Sequence, residues 1–183
     1  ANLYEREKDY ENAISFFSIT IKNNPKFYQA HNNLATLLLK HKKRYNLSLY
    51  HYNQAISLNL DPDYLSNKAS LLEEMGDLGS AFTVINESLK INNANSKAYY
   101  NKGKILERMG EIKSAVTAYE RSIEIDPDFV DAKWNNSINN LLVENFSEGW
   151  QYYEVRRRRS SWVRRAFKGK ELTQLCDLNG KSI

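Results

Sequence analysis

Residues that form turns are scarce in this chain of 183 residues, which has 7 glycines and 3 prolines. Long loops and many-stranded β-sandwiches are therefore not expected, because both need such residues at short intervals. Cysteine is nearly absent as well: Cys176 stands alone, which excludes an internal disulfide bond and is consistent with a reducing compartment. No apolar run approaches the roughly 18 residues that mark a membrane-spanning helix, so none is predicted.

A secretory signal is also missing from the start of the sequence. The first residues, ANLYEREKDY, carry neither a positively charged segment nor an apolar one. Hydrophobic residues make up 42% of the chain, enough to build a core. We therefore expect a folded, cytoplasmic protein.

Charge is distributed unevenly along the chain. The net charge is +4, but residues 150–183 hold nine Lys/Arg and three Asp/Glu. The first 149 residues are consequently slightly acidic, and the basic character belongs to the C-terminal tail.

The most informative stretch is residues 96–127, which read SKAYYNKGKILERMGEIKSAVTAYERSIEIDP. Their spacing predicts two helices separated by a turn at Gly110. Small and large residues alternate on the two facing sides: Tyr99, Gly103 and Leu106 on the first helix, and Ala115, Tyr119, Ser122 and Ile123 on the second. This segment resembles one tetratricopeptide (TPR) repeat, a helix–turn–helix unit of 34 residues.

Steps of 34 residues from this segment meet similar residues along most of the chain. Gly110 corresponds to Gly76 and Ala115 to Ala81, and Gly103 corresponds to the small residues Ala69, Ala35, Ala1 and Ser137. The sequence thus predicts an all-α TPR solenoid, a right-handed superhelix of repeats. Its predicted parts are an array over 1–159 (partial repeat 1–27; repeats 28–61, 62–95, 96–129 and 130–159) and a basic tail over 160–183, which could begin a further domain.

The first unit is predicted to be incomplete. Residues 1–27 should supply the end of one helix and the whole of the next, with Ala13, Phe17 and Thr20 on its packed face. Half a repeat exposes an apolar face, so a homo-oligomer through this N-terminal repeat is one expectation.

Three local features are predicted in the other units. The turn His41–Asn46 has one residue more than the consensus, and Asp61 with Pro62 should cap and open the next helix. In the last unit Asn136 and Asn140 replace apolar packing residues. Its second helix should be capped by Ser147 and run to about Arg159.

A second, narrower resemblance concerns the end of the array. Asp131–Asn135, Asn145–Arg156 and Leu178–Ile183 resemble the last repeat, and the strand that follows, of bacterial TPR-linked glycosyltransferases related to O-GlcNAc transferase. The chain differs from that pattern at Asn145, where those proteins have a glycine–aspartate turn. The sequence also stops before any catalytic residue. It implies origin in such a protein rather than activity in this piece.

Asparagines recur at one position of four successive repeats: Asn33, Asn67, Asn101 and Asn135. An asparagine amide offers an acceptor and two donors, so a line of them can bind the backbone of an extended peptide with little preference for its side chains. The resemblance to O-GlcNAc transferase implies the same use. Alternatively, asparagine is simply common at this position and in this chain.

Further candidates lie on the same predicted surface of the first helices. Lys97, Tyr100 and Lys104 flank Asn101, and Trp134 is a candidate anchor for an apolar ligand group. The alternative for Trp134 is packing against Trp162 or a following domain.

The basic tail carries Arg156, Arg157, Arg158, Arg159, Arg164 and Arg165, interleaved with Trp162 and Phe167. Such a segment could be a solvated linker helix, a protein interface or a site for nucleic-acid phosphates. Because the run is short and the array slightly acidic, nucleic acid is not the expected partner.

Catalysis finds little support in the sequence. His31, His41 and His51 lack the spacing of metal ligands, and Glu73, Glu74 and Glu107 are expected to be solvated charges. We therefore expect a non-enzymatic module without cofactor or metal that binds a protein or peptide. The leading hypothesis is the recruiting arm of a glycosyltransferase-like protein; the alternatives are a freestanding scaffold that self-assembles through its ends and a nucleic-acid binder.

Overall fold

The computed structural model describes residues 3–155, and within them it contains nine α-helices and no β-strand. The predicted all-α architecture is confirmed. The helices are α1 (Leu3–Asn23), α2 (Tyr28–Lys42), α3 (Tyr45–Leu58), α4 (Pro62–Met75), α5 (Leu78–Ile91), α6 (Ser96–Arg108), α7 (Ile112–Ile125), α8 (Val130–Leu142) and α9 (Phe146–Tyr153).

The helices pack as a solenoid. Each pair within a repeat is in contact (α2 with α3, α4 with α5, α6 with α7, α8 with α9), and each second helix also packs on the first helix of the next repeat. Contacts between α2 and α4 and between α4 and α6 bring successive first helices together. The core is therefore a row of buried clusters along the stacked helices, and the partly buried Leu49 and Phe82 connect neighbouring clusters.

The turn inside each repeat has a residue in the left-handed conformation. Gly76 and Gly110 hold it with φ of 86° and 83°, and Lys43 and Glu144 hold it with φ of 49° and 62°. Behind Gly76, the N–H of Asp77 donates to the carbonyl of Leu72 at 3.0 Å, which satisfies a carbonyl at the end of α4.

The extra residue predicted in the second unit lengthens its first helix. α2 has 15 residues where α4 has 14, and the left-handed residue moves to Lys43. The two-residue connection between the helices is thus preserved.

The predicted helix cap is confirmed in one repeat and is wrong in another. Asp61 caps α4 and accepts from the N–H of Asp63 at 2.8 Å, with Pro62 as the first helical residue, as predicted. The prediction that Ser147 caps α9 is wrong. The cap is Asn145, because Glu144 completes the turn and α9 already begins at Phe146.

The first unit also differs from the prediction. α1 is one helix from Leu3 to Asn23, with no break near residue 8. The position that is Gly76 or Gly110 in later repeats is a lysine here, within a run of strong helix formers. Without a turn residue the helix continues without a break, so residues 3–23 form one helix rather than parts of two.

Several predictions fall outside residues 3–155: those for Ala1, for Cys176, for the six arginines of the tail, for Trp162 and for the segment Leu178–Ile183. The predicted extension of α9 to Arg159 lies partly outside as well. Among the described helices, none is both long and apolar enough to cross a membrane.

Candidate functional site

A depression of about 490 Å³ lies where the first helices α2, α4 and α6 meet, and we call it the central depression. It is lined by Asn32, Asp63, Tyr64, Ser66, Asn67, Lys97, Tyr100, Asn101 and Phe129. Four residues predicted for peptide binding, Asn67, Asn101, Lys97 and Tyr100, are thus brought together. Its position follows from the stacking of the first helices.

Two asparagines of the central depression make equivalent hydrogen bonds in successive repeats. The Nδ2 of Asn67 donates to the Oδ1 of Asn32 at 3.1 Å, and the Nδ2 of Asn101 donates to the Oγ of Ser66 at 3.1 Å. In both cases the acceptor is 35 residues earlier, in the preceding repeat. Each amide is therefore fixed through one N–H, while no hydrogen bond from the described residues reaches its Oδ1.

The other two members of the asparagine series are placed differently. Asn33 is exposed, and its Oδ1 accepts from the Nδ2 of Asn32 at 3.4 Å. Asn135 donates from Nδ2 to the hydroxyl of Tyr119 at 3.3 Å. Neither lines the central depression, so the structure groups two of the four asparagines there.

Aromatic rings form two walls of the central depression. Tyr100 lies 4.9 Å from Phe129 and 5.9 Å from Tyr119 between ring centroids, and Tyr64 lies 6.2 Å from Tyr28. Burial, with the nearby carboxylates Asp61 and Asp63, raises the pKa of Tyr64 above its usual value. Its hydroxyl consequently stays protonated and can donate.

Lys97 is exposed at the rim of the central depression, whereas Lys104 is engaged within the protein. The Nζ of Lys104 lies 2.9 Å from the Oε2 of Glu73, and Arg108 lies 2.8 Å from the Oε1 of Glu73 and also donates to its backbone carbonyl. A ligand group that binds the ammonium of Lys104 must therefore compete with the carboxylate of Glu73.

Glu73 is not the solvated charge that the sequence predicts. Only 5% of it is exposed, because α6 covers it. Burial by itself would raise the pKa of Glu73, but the hydrogen bonds and charges of Lys104 and Arg108 outweigh this and lower the pKa. The prediction is wrong because the two partners are 31 and 35 residues later in the sequence, on α6. The pattern of residues within α4 alone does not indicate them.

Glu107 is likewise part of a polar cluster. Its Oε2 accepts from the hydroxyl of Tyr119 at 2.8 Å and from the Nδ2 of Asn139 at 3.0 Å. Burial, followed by the charge of Glu107, raises the pKa of Tyr119. The cluster ties α6, α7 and α8 together. Through it the Nδ2 of Asn135 donates to Tyr119 on α7, whereas Asn67 and Asn101 donate to the preceding first helix.

Trp134, the predicted anchor, packs on the last described helix. Its ring centroid lies 5.7 Å from that of Tyr153, and the residue is half-buried. The alternative, in which Trp134 packs against Trp162 or a following domain, concerns residues outside those that the structure describes.

The histidines show one unexpected contact. The Nδ1 atoms of His31 and His51 are 3.0 Å apart, and the Nε2 of His31 lies 3.1 Å from the carbonyl of Pro25. A carbonyl only accepts, so Nε2 of His31 carries a proton, and its Nδ1 accepts from the Nδ1–H of His51. Within residues 3–155 no group of three or more His, Cys, Asp or Glu is arranged to hold a metal ion.

Two of the three aromatic residues in the central depression were not predicted from the sequence. Tyr64 occupies a repeat position that was not expected to face inward, and Phe129 lies in the link before α8. Their aromatic character was the available signal, since exposed aromatic residues are enriched where proteins bind partners.

Comparison with known proteins agrees with this architecture. Residues 62–95 and 96–129 each match a family model described as tetratricopeptide repeat. These two segments are thus similar to TPR repeats over their full length. A search of curated protein sequences found no match to the chain.

Solved structures extend the TPR likeness over most of the chain. PilF of Pseudomonas aeruginosa superposes with a TM-score of 0.76 at 16% identity, over 87% of this chain and 73% of that one. MamA of Desulfovibrio magneticus RS-1 gives 0.70 at 14% identity, over 85% and 90%. YrrB, described as a TPR protein with an unusual peptide-binding site, gives 0.60 at 17% identity, over 84% and 79%. The described chain is therefore an all-α TPR solenoid.

Proposed function

We propose that this TPR array binds an extended peptide segment of a partner protein in the central depression. The observation that supports this most is the pair of equivalent amides, Asn67 and Asn101. Each is fixed through one N–H to the preceding repeat, and no hydrogen bond from the described residues uses its acceptor or its second donor.

Such amides match what a peptide backbone offers. An extended peptide presents N–H and C=O groups at regular intervals, and an asparagine that is already oriented loses little freedom on binding. Because these hydrogen bonds involve the peptide backbone, Asn67 and Asn101 would bind peptides of many sequences in the same register.

The walls of the central depression then select among side chains. Tyr64 on one side and Tyr100 with Phe129 on the other form an aromatic surface. An apolar or aromatic side chain of the peptide can pack on it. Lys97 and Asp63 lie at the rim, where they can favour charged neighbours of that residue.

The test begins with peptides selected from a displayed library on the 183-residue chain. Asn67→Ala and Asn101→Ala should each weaken binding about five-fold, from a net loss of about 1 kcal/mol per hydrogen bond. Asn53→Ala, at an exposed asparagine outside the central depression, is the matched control. A selected peptide that binds the Asn67/Asn101 double variant as tightly as the parent protein contradicts the proposal.

We further infer that the array recruits substrates or partners for a glycosyltransferase-like enzyme of which it is a part. The support is the resemblance of residues 131–156 and 178–183, and the second of these segments lies outside the described residues. The sequence encoded after Ile183 tests it directly. A nucleotide-sugar-binding domain supports the inference, and an unrelated domain or a stop codon contradicts it.

A further inference from the structure

Two histidines on different helices of the second repeat meet inside the protein. His31 on α2 is 4% exposed, and its Nδ1 lies 3.0 Å from the Nδ1 of His51 on α3, which is half-buried. The two residues are 20 positions apart, so their spacing in the sequence does not indicate the contact. Because the same atom of each ring points towards the other, the pair resembles two ligands of one metal ion.

The separation of the two nitrogen atoms fits that arrangement. Zn²⁺ binds the nitrogen of an imidazole at about 2.0–2.1 Å. Two such ligands lie about 3.3 Å apart at a tetrahedral angle and about 2.9 Å apart at a right angle. The Nδ1 atoms of His31 and His51 are separated by a distance between these values. A cation on His31 can therefore be reached by His51 after a rotation of its half-buried ring.

The other ring nitrogen of His31 is held as it is in metal sites. Its Nε2 lies 3.1 Å from the carbonyl oxygen of Pro25 and therefore carries the proton. The available lone pair of His31 is thus on Nδ1, on the side of His51. In metal-binding histidines a backbone carbonyl on the far nitrogen commonly fixes the tautomer and the orientation of the ring.

His51 can also act as a ligand without losing a proton from the ring. Its Nδ1–H donates to His31, while its Nε2 makes no hydrogen bond with the described residues. When a cation replaces the bridging proton, that proton leaves Nδ1 of His51 and Nε2 takes one up from solvent. Both ligands are then neutral imidazoles, and no oxidation or reduction is involved.

Packing alone does not require two histidines at these positions. In the third repeat the equivalent residues are the buried Leu65 and, allowing for the extra residue before α3, Val84. A hydrogen-bonded polar pair inside a protein contributes little more to stability than two apolar side chains of similar shape. A specific use of the two imidazoles would account for their presence.

We propose that His31 and His51 bind one divalent cation of the class that prefers imidazole, such as Zn²⁺, Ni²⁺ or Cu²⁺, through their Nδ1 atoms. The ion joins α2 to α3. Water fills its remaining positions, because no group of three or more His, Cys, Asp or Glu within residues 3–155 is arranged to hold a metal. The bound ion stabilises the second repeat by mass action. Neither histidine lines the central depression, so this proposal and peptide binding stand or fall separately.

Isothermal titration of Zn²⁺ into the full 183-residue chain, after removal of metals with EDTA, tests the proposal. The parent protein should bind one ion, and His31→Gln and His51→Gln should each weaken binding about ten-fold or more. His41→Gln is the matched control, because His41 is the third histidine of the chain and stacks on Tyr10 instead. It should bind Zn²⁺ as tightly as the parent protein.

Nitrogen NMR spectra of the parent protein with isotope-labelled histidines give a readout that needs no variant. Zn²⁺ should shift the Nδ1 signals of two histidines, while the Nε2 of His31 keeps its proton. A parent protein that binds no Zn²⁺, equal binding by His31→Gln or His51→Gln, loss of binding in His41→Gln, or shifts confined to Nε2 each overturns the proposal.

Discussion

Gly103 faces the ring of Tyr119 so closely that a Cβ atom on the glycine would lie 2.5 Å from Cε1 of the tyrosine. Tyr119 is fully buried, so its ring has little room to move. The contact brings α6 and α7 together in the repeat with the clearest sequence pattern. It explains why a glycine, ordinarily unfavourable inside a helix, stands in the middle of α6.

Gly103→Ala should therefore destabilise the protein by about 1–3 kcal/mol, because overpacking outweighs the gain in helix propensity. The measurement is urea unfolding followed by circular dichroism. Gly79→Ala is the matched control: Gly79 is also helical, but nothing lies within 4 Å of the added Cβ. That variant should be as stable as the parent or more stable by up to about 1 kcal/mol. Equal effects at both positions would contradict the packing described here.

Glu73→Gln should lower stability by about 1–3 kcal/mol, because a buried group then loses charge-assisted hydrogen bonds from Lys104 and Arg108. Glu74→Gln changes the adjacent residue, whose pairing with Lys43 is on the surface, and should cost well under 1 kcal/mol. Thermal unfolding of both variants at neutral pH gives the comparison. A larger loss in the Glu74 variant would show that the ion cluster between α4 and α6 contributes little.

The histidine pair predicts a dependence of stability on pH. Burial, with the nearby His31, lowers the pKa of His51 to about 4, from 6.5 for an ordinary histidine. Between these values the unfolded chain binds more protons than the folded one. The free energy of unfolding should therefore fall as the pH is lowered from about 6.5 towards 4. Because His51 is only half-buried, the expected loss is about 1–2 kcal/mol.

Urea unfolding at a series of pH values checks this expectation. His51→Gln should flatten the curve in that window, because the group that titrates is gone. Retention of the full pH dependence in this variant would assign it to other groups.

Local features of the fold were predictable because each depends on residues close in sequence. Gly110, Asp61 and the small residues at 34-residue spacing set turns, caps and close contacts by themselves. The continuous α1 was not predicted, since the repeat pattern was extended over a lysine where a turn residue was needed.

The candidate site was predictable only in part. The repeat register placed Asn67 and Asn101 together, because equivalent positions of stacked helices share a face. It could not show that Tyr119 accepts a hydrogen bond from Asn135, that Glu107 accepts one from Asn139, or that Glu73 is buried. Those contacts join side chains on different helices, and the orientation of each side chain decides them.

The left-handed turn residues have a consequence for the order in which the array opens. The middle turns use Gly76 and Gly110, whereas the outer ones force Lys43 and Glu144 into a conformation that costs a residue with a Cβ about 1 kcal/mol. In a solenoid, stability is the sum of repeats and their neighbour contacts, so unfolding starts where these are weakest. Amide protons of residues 62–129 should exchange last. Most residues that line the central depression belong to residues 62–129. A bound peptide would therefore contact mainly the repeats that unfold last.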